Sequence, residues 1–105
     1  MKKYRSEQEL RELARELATK NVVYEMCEDN RQVWGTREAT KEESETLFKL
    51  FYGTFLAMRF MNNDGATGAI DAVEYIANML LPELNNYNTV YCRLWETWRE
   101  WEEQN

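Results

Sequence analysis

The chain has no histidine, one proline, four glycines and two cysteines, and each scarcity removes a class of protein. Without histidine there is no Ser-His-Asp or Cys-His nucleophile, no imidazole general acid or base, and no imidazole metal ligand. Cys27 and Cys92 alone leave a structural zinc site short of ligands. All-β sandwiches and barrels need many turns, which one proline and four glycines supply poorly. Only Ser6 and Ser44 are serines, and both sit where helix starts want them. There is no P-loop lysine motif and no dinucleotide fingerprint. No apolar run approaches the roughly 20 residues that span a bilayer. The first ten residues carry positive charge with no apolar stretch behind it, unlike a secretory signal. The chain is therefore expected to be cytoplasmic, with two free, partly buried thiols; a single Cys27–Cys92 disulfide is the alternative.

What is present is the material of one folded domain spanning 1–105. Hydrophobic residues make up 44% and aromatics 13%, enough for a core and too many for a disordered chain. The net charge of −6 disfavours direct nucleic-acid binding, which rests on Lys and Arg neutralising phosphates. It disfavours anionic membrane surfaces for the same reason and suits a protein partner with a basic surface. Charge is also uneven. Residues 63–90 contain Asp64, Asp71, Glu74 and Glu83 and no Lys or Arg, whereas six basic residues stand against four acidic ones in residues 1–20.

Apolar spacing predicts an all-α fold, a compact bundle of about four helices. Ser6 and Glu9 form a capping-box pattern ahead of a stripe of Leu10, Leu13 and Leu17. Residues 21–36 have two readings. The stripe through Tyr24 and Cys27 favours continuing the first helix to about Glu28. The β-branched and aromatic run NVVYEMC allows a short hairpin instead, but an isolated hairpin is marginal in water. Thr40 and Glu43 open a second helix with another capping box, and its body is apolar on most of its circumference, as in a buried central helix or a dimer interface. NNDGATG breaks the chain. A third helix is expected from about Thr67 to Leu81, burying Ile70, Val73, Ala77 and Leu80 until Pro82 stops it. Asn88 is positioned to cap a fourth helix running to about Glu103. Met58, Met61 and Met79 read as fillers of core gaps.

Few constellations suggest chemistry. Gly65 and Gly68 before a helix could hold an anion, but Asp64 and Asp71 flank them. Aligning Gly65 with the glycine of a calcium loop puts Phe60, which has no side-chain oxygen, at the first ligand position, so this is a helix–loop–helix turn and not an EF-hand. The pairs Glu42-x-x-Glu45 and Asp71-x-x-Glu74 resemble the ExxE…ExxD pattern of the all-α nucleotide pyrophosphohydrolases. The resemblance covers these two tetrads only, with Asp and Glu reversed in the second. It implies Mg²⁺ held between helices. Read from the residues alone, Glu42 and Glu45 are first-turn carboxylates favoured by the helix dipole, and Asp71 and Glu74 lie opposite the apolar stripe.

The last helix places Tyr91, Leu94, Trp95, Trp98 and Trp101 on one arc, a core-facing stripe. A sharper reading has Trp98 and Trp101 reach past the core to anchor a partner, with Trp34, in the Gly35 loop, as the other candidate anchor. The expectation is a non-enzymatic protein-binding module without metal or cofactor, its contact residues Trp34, Asp64, Asp71, Glu74, Glu83, Trp98 and Trp101. One version is an inhibitor of the anti-CRISPR kind, encoded by a phage or mobile element, that blocks a basic nucleic-acid-handling protein. The alternatives are the pyrophosphohydrolase-like enzyme and a self-assembling scaffold, a homodimer through the second helix.

Overall fold

A computed structural model describes residues 6–20, 22–26 and 34–103. The chain runs α1 (Glu7–Thr19), β1 (Val22–Met26), β2 (Trp34–Glu38), α2 (Lys41–Met58), α3 (Asn63–Leu80), a π-helical turn (Tyr87–Tyr91) and α4 (Cys92–Glu103). It is a mostly helical globule with four α-helices and one small antiparallel sheet, so it is not purely all-α.

The helix starts follow their caps. Ser6 Oγ accepts the Glu9 N–H at 3.2 Å. Thr40 and Glu43 make both bonds of the capping box: Thr40 Oγ1 accepts the Glu43 N–H at 3.2 Å, and Glu43 Oε1 accepts the Thr40 N–H at 2.8 Å. Asn62 caps α3 by accepting the Gly65 N–H on Oδ1 at 2.8 Å. The NNDGATG break is therefore much shorter than expected, and α3 begins at Asn63 instead of Thr67. The core gathers Leu10, Ala14 and Ala18 of α1 with Leu47, Phe51, Phe55 and Met58 of α2. Val23 of β1, Phe48 of α2, Ala66, Ile70 and Ala77 of α3, Leu84, Val90 of the π turn, and Leu94, Trp98 and Trp101 of α4 complete it.

The largest departure from expectation is the hairpin, which replaces the favoured continuation of α1; Cys27 and Glu28 lie outside the described residues. β1 and β2 pair antiparallel with Tyr24 opposite Thr36. The hairpin is not isolated, and that is why it forms. On the edge of β1 away from β2, Met26 N–H donates to Glu83 O at 3.2 Å and Asn85 N–H donates to Tyr24 O at 2.7 Å. Thr89 Oγ1 accepts the Tyr24 N–H at 3.1 Å and donates to Tyr24 O at 3.2 Å. A segment some sixty residues away thus supplies the third partner that a lone hairpin lacks.

The fourth helix also starts differently. Tyr87–Tyr91 forms a π turn, its wider ring closed by the Cys92 N–H donating to Tyr87 O. Asn88 is not a cap; its own N–H donates to Asn85 Oδ1 at 3.4 Å. Pro82 does end the third helix, since α3 stops at Leu80.

Candidate functional site

Two proposed anchors are core residues. Trp98 is 1% exposed and Trp101 5%. Trp98 Nε1–H donates to Asn63 Oδ1 at 3.1 Å, tying α4 to the first turn of α3. Trp101 packs on Phe55 with ring centroids 5.7 Å apart. Filling the space between α2 and α4 is what places them inside, so neither presents a surface to a partner. Trp34 is exposed, but as the first residue of β2 and not in a loop.

The acidic residues of 63–90 behave otherwise. Asp64, Asp71 and Glu83 are exposed and Glu74 is half-buried. Burial raises the Glu74 carboxyl above its ordinary pKa, and neighbouring Asp71 raises it further. No ion pair among the described residues engages Asp64, Asp71 or Glu74. Asp64 stands in the first turn of α3, where the helix dipole favours a carboxylate; Asp71 and Glu74 lie further along the helix.

The same helix carries an apolar face that sequence reasoning placed inside. Of the stripe expected to be buried, Ile70 and Ala77 are buried and Val73 is half-buried, but Leu80 is exposed. Met79, expected to fill a core gap, is 81% exposed, and Tyr75 is 72% exposed. Ile76 is the fourth exposed apolar residue of this helix. At 100° per residue, Tyr75 and Met79 lie opposite Ala66, Ile70 and Ala77, and Ile76 and Leu80 lie on the flank between the two sides. The helix is apolar on two sides, and the bundle covers only one. That double-sidedness was the available signal. The four exposed apolar side chains follow one another along this side of α3, and such patches on a monomer are often functional.

Elsewhere, Glu25, Glu43 and Glu45 are held in ion pairs. Arg37 of β2 donates Nε–H to Glu25 at 2.6 Å and its two terminal nitrogens to both Glu43 oxygens at 2.6 and 2.7 Å. The bidentate bond holds the Glu43 carboxyl far below its ordinary value, at about 2. This knot fastens the hairpin to the start of α2. Glu45 bonds Arg15 of α1 at 3.0 Å. Glu42 and Glu43 line a groove with Pro82 and Glu83. Among the described residues no three acidic or cysteine side chains come together closely enough to hold a metal ion, so Glu42, Glu45, Asp71 and Glu74 do not converge as the pyrophosphohydrolase resemblance requires.

A second concavity of about 440 Å³ opens beside the π turn, lined by Tyr87, Tyr91, Cys92, Trp95, Glu96 and Arg99. Tyr87 stacks on Tyr91 at 5.0 Å, and Tyr91 meets Trp95 edge-on at 6.3 Å. Burial pushes the Cys92 thiol up in pKa, with Glu96 and Glu74 adding to the shift, so this thiol is a poor nucleophile at neutral pH. No helix among the described residues is long and apolar enough to cross a membrane. Comparison with protein-family models, with curated proteins and with solved structures gives no match.

Proposed function

We propose that this chain is a non-catalytic protein-binding module that docks through the outer face of α3 onto a partner with a basic surface. One observation carries the reading: Tyr75, Ile76, Met79 and Leu80 are exposed together on a helix whose acidic residues have no cationic neighbour within 63–90. Burying such a patch drives association, and the surrounding carboxylates select the partner's charge and speed encounter. A module of this kind acts by occupying a surface. The target class that its charge favours is a basic groove that otherwise handles nucleic acid, as for a phage or mobile-element inhibitor of the anti-CRISPR kind. Contact through mixed apolar and acidic groups is favoured over broad phosphate mimicry, because a net charge of −6 is modest for the latter.

The test compares the tagged chain with its Met79→Glu variant in host lysate at low and moderate salt. Met79 is 81% exposed, so the substitution leaves the core intact. A basic protein held by the wild type, released by salt and absent from the variant supports the reading. Identical captures from both proteins would remove α3 as the docking face. Recovery of the chain alone would favour the self-assembling scaffold.

A further inference from the structure

We infer that the occupant of this face is a single amphipathic helix of the partner, lying along α3 with a Lys- or Arg-bearing edge beside Asp64 and Asp71. The inference rests on the docking reading above and names the shape and chemistry of what docks.

Shape comes first. At 100° per residue, Gly68, Ala72, Tyr75, Ile76 and Met79 fall in an arc about 100° wide, centred opposite the buried Ile70 and Ala77. From 68 to 79 the stripe runs about 16 Å along the helix, some three turns. Spacings of three and four residues are the ridges that a second helix packs against. The stripe is also graded. Its N-terminal half is small and its C-terminal half bulky, so a helix can approach closely at one end and interdigitate at the other.

Gly68 points the same way. It is exposed in the interior of a helix, and a Cβ built there meets nothing within 4 Å. A glycine in that position weakens a helix relative to alanine, and nothing within this chain's own packing asks for it. Gly65 differs: its Cβ would come 3.3 Å from Asn62 Oδ1, the cap oxygen. Gly53 of α2 is equally open, so what Gly68 adds is clearance at the small end of the stripe, where an occupant can approach closely.

Charge selects the occupant. Asp64 and Asp71 lie along one border of the stripe, while Ile76 and Leu80 form the other. No ion pair among the described residues engages these carboxylates. A helix laid on the stripe would partly desolvate them, and a basic edge on that helix compensates. A second copy of the chain fits less well. Antiparallel two-fold pairing of α3 with itself puts both acidic borders on the same side, and each copy carries a net charge of −6.

The test uses the full chain, isotope-labelled for amide shift mapping, and three synthetic helical peptides. All share a leucine and alanine face. One has lysines along one edge, one has glutamates there, and one has the lysine peptide's composition scrambled. The lysine-edged peptide is expected to shift amides within 64–80 and to bind at least about tenfold more tightly than the other two. Gly68→Leu is expected to raise the unfolding midpoint, because the site is open, while weakening the lysine-edged peptide at least about tenfold. A variant that gains stability and loses binding cannot be explained by misfolding. Equal affinity of the peptides would overturn the basic edge, and undiminished affinity of Gly68→Leu would overturn close approach there. Failure of every peptide, with Met79→Glu still abolishing protein capture, would overturn the helical occupant and leave the docking face standing. Concentration-dependent shifts of α3 without peptide, with a doubled mass, would overturn it in favour of a second copy.

Discussion

Replacing Glu43 by Gln removes one charge from the knot joining the hairpin to α2, and its cost can be worked from the structure. Glu43 accepts two bonds from Arg37 and one from the Thr40 N–H. The Arg37 hydrogen bonds are the largest cause of its low pKa, with the Thr40 bonds lesser contributors. The drop from an ordinary 4.5 to about 2 corresponds to roughly 3 kcal/mol of differential stabilisation. The Arg37 side chain is 34% exposed, so solvent screens part of this, leaving about 2 kcal/mol. Glutamine still offers an oxygen to the Thr40 N–H, so most of the cap survives. The folded-state pKa is depressed. The contribution is therefore full above about pH 4.5, the unfolded value, and is lost as pH falls towards 2. Urea unfolding followed by tryptophan fluorescence and far-UV circular dichroism, at neutral pH and at several acidic values, measures it. The variant should be about 2 kcal/mol less stable at pH 7, and the gap should close progressively below pH 4.5. A gap independent of pH, or one near zero at pH 7, would refute the electrostatic account.

Three further outcomes follow from other parts of the fold. Thr89→Val keeps the shape of a residue that is 1% exposed but removes both of its bonds to Tyr24; a loss of about 1–3 kcal/mol is expected, with faster amide exchange at Tyr24 as the local readout. Gly53→Ala should stabilise the protein by about 0.5–1 kcal/mol, because Gly53 is an exposed α2 residue where an added Cβ meets nothing within 4 Å; thermal unfolding checks the sign. Trp98→Ala should destabilise by about 3–5 kcal/mol, since it empties a core position and breaks the bond to Asn63; chemical denaturation checks it, and a change near zero would contradict the core placement.

Where the chain starts and stops its elements by local chemistry, the sequence was sufficient. Thr40 with Glu43, and Pro82, act as their types dictate; Ser6 caps α1 as expected, but Glu9 accepts from the Ser6 hydroxyl rather than reaching back to the Ser6 N–H. Asn62 is also a local cap, but the glycines that follow it disguised the start of α3 as a loop. The hairpin was hidden for a different reason: its decisive partners, Glu83, Asn85 and Thr89, are remote in sequence, and no local window contains them. Periodicity found the aromatic stripe of α4 but carries no information about depth. The core-facing reading of the stripe, favoured from the residues, holds for Trp98 and Trp101, and their sharper reading as anchors does not. The α3 face shows the same limit in reverse. Leu80 and Met79 look like core residues by type, and only the placement of the other helices shows which side of α3 is left uncovered. Asp64, Asp71 and Glu83 were legible because a charge without a local partner usually stays in water.

The most direct test of the docking claim is site-specific photocrosslinking in the native host, with the reactive group at position 79 of α3 and, as a control, at position 11 on the exposed side of α1. The account predicts a covalent adduct between position 79 and a protein with a basic surface, none from position 11, and weaker yield at higher salt. Adducts formed equally from both positions, or only between copies of this chain, would contradict it.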